Sequence, residues 1–159
     1  MVIVFHWNGL QRKRQHGVAI AIRKNPNIII ETIHYCSARL MAADVTIKGC
    51  KVRIVSCYAS TLKTAFSTKQ NFYRELSHLS RTEKNRKRLV QGDFNAEPQI
   101  CRSHSNFQGG KSFVDEGTNQ SNENVMLFIQ FCHSNELSIR NTWFEHPTKH
   151  RVTWHHRPS

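Results

Sequence analysis

The spacing of the apolar residues switches between strand period and helical period along this chain, and that switching bounds the fold more tightly than any one residue. Val2-Ile3-Val4-Phe5 is a short apolar strand candidate. Gly17-Val18-Ala19-Ile20-Ala21-Ile22 is the small-and-branched run of a buried strand. Asn25-Pro26-Asn27 marks a turn, and Ile28-Ile29-Ile30 starts another strand. Leu40 to Ile47 is extended. Lys48-Gly49 then turns the chain into Val52 to Tyr58, so the two runs read as a hairpin. From Thr64 to Ser80 the period changes: Phe72, Leu76 and Leu79 share one helical face. Leu89-Val90 is strand-like again. Glu123 to Asn135 returns to helical period through Leu127, Phe128, Phe131 and Cys132. Leu137 to Thr142 and Val152-Thr153-Trp154 are further extended pieces, and Ser103 to Asn122 reads as a long polar loop. Many strands with two interspersed helices predict one layered α/β or α+β domain over residues 1–159.

Charge narrows the function. The chain has 159 residues, with 23 Lys and Arg against 11 Asp and Glu, a formal charge of +12. Such an excess favours a polyanionic partner, nucleic acid first. The basic clusters are Arg12-Lys13-Arg14 and the run from Arg81 to Arg88. Each is either a solvated charge run or a phosphate contact. No apolar stretch approaches the ~20 residues of a membrane-spanning helix. The five Cys include no CxxC pair, so neither a disulfide framework nor a zinc ribbon is indicated. Cys57 and Cys132 sit in apolar runs and read as small buried hydrophobes. The expected location is intracellular, and the basic runs are compatible with a nuclear address.

The candidate site is Gly92-Asp93-Phe94-Asn95-Ala96, directly after Leu89-Val90-Gln91. Side chains alternate along an extended chain, which predicts Asp93 and Asn95 on one side and Phe94 packed on the other. An acid that can take a proton, beside an amide that can donate to a developing oxyanion, suits phosphoester hydrolysis. The bland alternative is a turn after a strand, since Asp and Asn are turn formers. Glu31, Asp44, Glu97 and Asp115 form no defensible ligand constellation in the sequence.

Several segments in order strengthen the site reading. They are Gly17 to Ile20, the strand ending in Cys57-Tyr58-Ala59, Gly92 to Ala96, Asn122-Glu123-Asn124, Leu137 to Phe144, and Val152-Thr153-Trp154. In this order the chain resembles the endonuclease/exonuclease/phosphatase superfamily. The branch is that of LINE-type retrotransposon endonucleases and the craniofacial development protein 2-like proteins. The resemblance implies a four-layered α/β sandwich that cuts phosphodiester bonds with Mg2+. It implies that Asp93 orients or deprotonates the attacking water and offers a carboxylate to the metal. Asn95 would contact the scissile phosphate, and the Tyr58 hydroxyl would lie near the phosphate or leaving group; in the bland reading Tyr58 simply packs. Thr153 and Trp154 would match a Thr-Trp step that begins the strand before the final catalytic loop, with Trp154 in the core; Thr153 joins Arg12, Lys13 and Arg14 as a nucleic-acid-binding candidate. DNA is the implied partner, with a reverse transcriptase domain in a longer parent.

The departures matter equally. Family members carry an upstream strand with an active-site Asn and a Gln-Glu-Thr segment whose Glu binds magnesium. Asn8, in a predicted His6-Trp7-Asn8-Gly9 loop, does not match it. Members also end with an Ile-Asp-Tyr strand and a Ser-Asp-His loop, and His155 and His156 fall too early for that His. The expectation is an incomplete domain, truncated at both ends, whose hydrolysis is weakened or lost. The alternative is a catalytically dead remnant that keeps salt-dependent nucleic-acid affinity.

Overall fold

The computed structural model describes residues 3–9, 17–96 and 123–140. Two sheets and two helices form an α+β sandwich. Strands β1 (Ile3–Gly9) and β2 (Gly17–Arg23) make an antiparallel pair. Strands β3 (Ile28–Ser37), β4 (Leu40–Ile47), β5 (Cys50–Tyr58) and β6 (Lys87–Asp93) form the larger sheet in the order β3-β4-β5-β6. Helix α1 (Phe66–Ser80) connects β5 to β6, which pair in parallel. A parallel pair cannot be closed by a tight turn, so a helical crossover is the expected connection. Helix α2 (Glu123–Ser134) is the last regular element described.

The alternation of β4 explains the layers. Leu40 and Ala42 join Val55 and Cys57 beneath the helices, against Phe72, Tyr73, Leu76, Phe128 and Phe131. Met41, Ala43 and Val45 face the other way and pack with Val18, Ile20 and Ile22 of β2. A strand covered on both faces is largely apolar in both registers, and Leu40 through Val45 are all buried, Asp44 among them through its ion pair with Arg53. Leu40 and Leu76 are fully buried; each such side chain contributes about 1.5–3 kcal/mol relative to exposure. The predicted hairpin is present: Lys48 and Gly49, at φ 48° and 79°, form a two-residue turn between the paired Ile47 and Cys50. Positive φ at both turn positions matches the twist of the flanking strands.

Two sequence expectations fail. Asn8 does not sit in a loop, because β1 runs to Gly9 and its backbone pairs with Val18. The alternating Leu137 to Thr142 run does not form a strand in its described part. Glu136, at φ 53°, stops α2, with Leu137 N–H donating to the Cys132 carbonyl (2.9 Å) and Glu136 N–H to the His133 carbonyl (3.1 Å). This is a left-handed helix cap. Leu137 and Ile139 then bury part of their apolar surface against the helix-side core.

Candidate active site

Tyr58 and Asp93 end neighbouring parallel strands and are direct register partners. Carboxyl ends of parallel strands are where open α/β sheets place their ligand sites. The Ala59 N–H donates to the Asp93 carbonyl at 2.8 Å, extending the ladder by one rung. Gly92 lets the strands come this close. It stands at φ 146°, and a Cβ built there would lie 1.8 Å from the Cys57 carbonyl oxygen. Only a residue without a side chain accepts both the conformation and the approach.

Beyond Asp93 the strand stops. The Asp93 carboxylate accepts the Asn95 backbone N–H at 2.9 Å, and Asn95 adopts φ 47°. This local capture is the turn chemistry of Asp and Asn. It replaces the expected strand alternation, so Asn95 reaches its position through a turn. Its side-chain amide donates to the Ala59 carbonyl at 2.9 Å. Phe94 turns away as expected, its ring centroid 4.4 Å from that of Phe128. Asp93 is exposed, whereas Tyr58 and Asn95 are half-buried. The turn and the site are therefore one object: the turn holds Asp93 and Asn95 beside Tyr58.

Arg39 supports the same corner. It donates to the carbonyls of Tyr58 (3.0 Å) and Ala59 (3.2 Å). Its guanidinium lies 4.9 Å from the centroid of the Tyr58 ring, a cation–π distance. The Cys57 thiol lies just beneath. Burial, and then the nearby Asp93 carboxylate, push it up to about 12. A thiol held protonated is a poor nucleophile, so Cys57 is a packing residue here. Cys132 is raised to about 12 by burial alone.

The remaining candidates separate. Arg12, Lys13, Arg14 and Thr153 lie outside the described residues, as does Trp154. Within the run from Arg81 to Arg88, Arg86 is buried and pairs with Glu31 at 2.8 Å, so it is not a solvated phosphate contact. Lys84 and Lys87 are exposed. With Arg88 they line one end of a groove of about 1030 Å³ that follows β6 towards Gly92 and Phe94. Asp44 is also structural: Arg53 clasps it at 2.7 and 2.6 Å, and His34 Nε2 lies 2.9 Å away.

Magnesium prefers six oxygen ligands in octahedral geometry. At these strand ends Asp93 is the one carboxylate among the described residues, and no group of three or more His, Cys, Asp or Glu side chains gathers among them. The described donors do not by themselves fit the ion, and further ligands would have to come from beyond them. No helix among the described residues is long and apolar enough to cross a membrane.

Sequence reading missed Arg39, Lys69 and the ion cluster around Asp44. Nothing in their spacing marks them, because each acts on groups distant in sequence. Asn124 was visible only as part of the Asn122-Glu123-Asn124 segment, with no role attached.

No family model matches the chain. Among curated proteins it is similar to craniofacial development protein 2 of Bos taurus, with 28% identity over 153 residues. It is similar also to craniofacial development protein 2 of Tragulus javanicus, with 27% identity over 153 residues. Each match covers 94% of this chain but 24% and 25% of the relative. The chain thus resembles proteins named craniofacial development protein 2 along nearly its whole length, and it spans about a quarter of the length of these curated relatives.

Proposed function

We propose that this chain carries the substrate end of a phosphodiester hydrolase that nicks DNA. The observation behind the reading is the convergence of Tyr58, Asp93 and Asn95 at the carboxyl ends of two parallel strands. The exposed Asp93 carboxylate can accept a proton from an attacking water. The Tyr58 hydroxyl is a donor suited to a phosphate oxygen or a leaving alkoxide. The Asn95 amide keeps one N–H beyond the bond to Ala59, enough for a second donor. Mg2+ belongs to the proposal through the resemblance alone, with Asp93 as the residue to hold it. The ion would stabilise charge on the phosphate.

A second reading rests on the +12 charge. In it the chain binds nucleic acid without cutting it. Supercoiled-plasmid nicking separates the two, run with magnesium or with chelator beside Asp93→Ala. The hydrolase reading expects magnesium-dependent nicking that falls at least about 100-fold in Asp93→Ala, the usual scale for losing a positioned general base. Folded protein that binds plasmid in a salt-sensitive manner, does not nick it, and ignores Asp93→Ala would establish the binding reading instead.

A further inference from the structure

Asn124 is the second residue of α2 and is 2% exposed. Its amide nitrogen spends both hydrogens on backbone carbonyls. One goes to Ser60 at 3.0 Å and the other to Asn95 at 2.9 Å. These carbonyls sit on different segments: Ser60 follows β5 and Tyr58, whereas Asn95 belongs to the turn after β6 and Asp93. A planar amide with two diverging N–H groups is shaped to bridge two acceptors. The neighbouring residue repeats the tie. Lys69 of α1, 2% exposed, donates to the Leu62 carbonyl at 2.8 Å and pairs with Glu123 at 2.9 Å. The first turn of α2 therefore holds both segments that carry the site.

We infer that Asn124 is a positioning residue: it locks the Tyr58–Ser60 segment and the Asp93–Asn95 turn into one rigid unit. Its effect on chemistry rests on the hydrolase reading, whereas the lock itself does not. The Asn124 amide bonds to the Ser60 and Asn95 carbonyls and so does not act directly on Tyr58 or the Asp93 carboxylate. It acts through Asn95, whose carbonyl it fixes while the Asn95 side chain holds Ala59. The chain of bonds runs from Asn124 to Asn95, to Ala59, and through the Ala59 N–H back to Asp93. Loss of the lock should leave the strands paired and free the turn to change the direction of the Asp93 carboxylate.

The test is backbone 15N relaxation on the purified chain, wild type beside Asn124→Ala. Asn135→Ala is the control. It removes an amide at the other end of α2 that likewise makes two bonds, to Ser77 at 3.0 Å and Phe131 at 2.9 Å. In Asn124→Ala the order parameters of Ser60 and Asn95 are expected to fall from the rigid range near 0.85 to below about 0.6. In Asn135→Ala they are expected to stay rigid. Unchanged rigidity at Ser60 and Asn95 in Asn124→Ala overturns the inference, and so does equal loosening in Asn135→Ala. Should Asn124→Ala not fold, Asn124→Ser keeps one donor and is read in the same way: one of the two segments loosens, or the inference falls. Where wild type nicks, Asn124→Ala is expected to lower kcat at least tenfold with KM held within about twofold, since a displaced acid loses transition-state stabilisation alone. Absence of wild-type nicking counts against the hydrolase reading and leaves the relaxation result to decide the lock.

Discussion

Gly92→Ala is expected to destabilise the chain by more than ~4 kcal/mol, in the range reserved for severe backbone conflicts. The added Cβ would lie 1.8 Å from the Cys57 carbonyl oxygen and 3.0 Å from the Cys57 nitrogen. Both are backbone atoms within the parallel pairing of β5 and β6, so no flexible side chain can yield. The φ of 146° adds strain for any residue with a side chain. A typical domain has only about 5–15 kcal/mol of stability to lose. The thermal midpoint is therefore expected to fall by at least about 10 °C, on the usual scale for a chain of this size. A midpoint within a few degrees of wild type would mean that β6 does not approach β5 this closely. Because Gly92 immediately precedes Asp93, the same change would move the acid away from Tyr58.

Arg53→Leu is expected to destabilise by about 3 kcal/mol, because breaking one side of a buried ion pair strands the other charge. Asp44 is 9% exposed at its side chain and Arg53 is 15% exposed. Arg53 also donates to the carbonyls of Leu79 (3.1 Å) and Arg81 (2.7 Å) at the end of α1. One side chain thus fastens the helical crossover to the sheet. The pH dependence follows from Asp44. Burial on its own would raise this carboxyl, but hydrogen bonds from Arg53 and His34, and the charges of Arg53 and Arg86, hold it down to about 2 from an ordinary 3.8. A depressed acid contributes stability that is fully present above its unfolded value and is lost as pH falls through its folded one. The window is therefore from about pH 4 down to about pH 2, with about 2 kcal/mol at stake. Denaturant titrations across that window should show this loss in wild type and a much smaller one in Asp44→Asn. Equal acid slopes in the two proteins would contradict the clasp.

Most of the fold was legible because burial imposes period. The runs Gly17 to Ile22 and Val52 to Tyr58 carry enough branched and apolar residues to allow no other reading, and Phe72, Leu76 and Leu79 allow only a helix. The described part of the Leu137 to Thr142 run misled because alternation reports two environments and does not by itself require a strand. Leu137 and Ile139 found their apolar environment against α2 and its core. The site was legible in part. Tyr58 and Asp93 were readable as residues that end strands, yet the geometry joining Asp93 to Asn95 follows from a positive φ that alternation cannot reveal. Glu31 and Asp44 offered no ligand pattern in the sequence because their partners are basic side chains distant in the chain: Arg86 for one, Arg53 with His34 for the other. The basic run from Arg81 to Arg88 looked uniform in sequence, but the fold sorts it into a buried Arg86 and exposed Lys84 and Lys87.

The central claim is that Tyr58, Asp93 and Asn95 form the surface that meets a phosphodiester. Amide chemical-shift mapping of the 15N-labelled chain, titrated with a short DNA duplex in the presence of magnesium, tests it most directly. Saturable shifts are expected at Tyr58 to Ser60 and at Asp93 to Ala96, weakened in Asp93→Ala. Shifts confined to Lys84, Lys87 and Arg88, with the strand ends silent, would contradict it and would place the nucleic-acid contact on the basic end of the β6 groove.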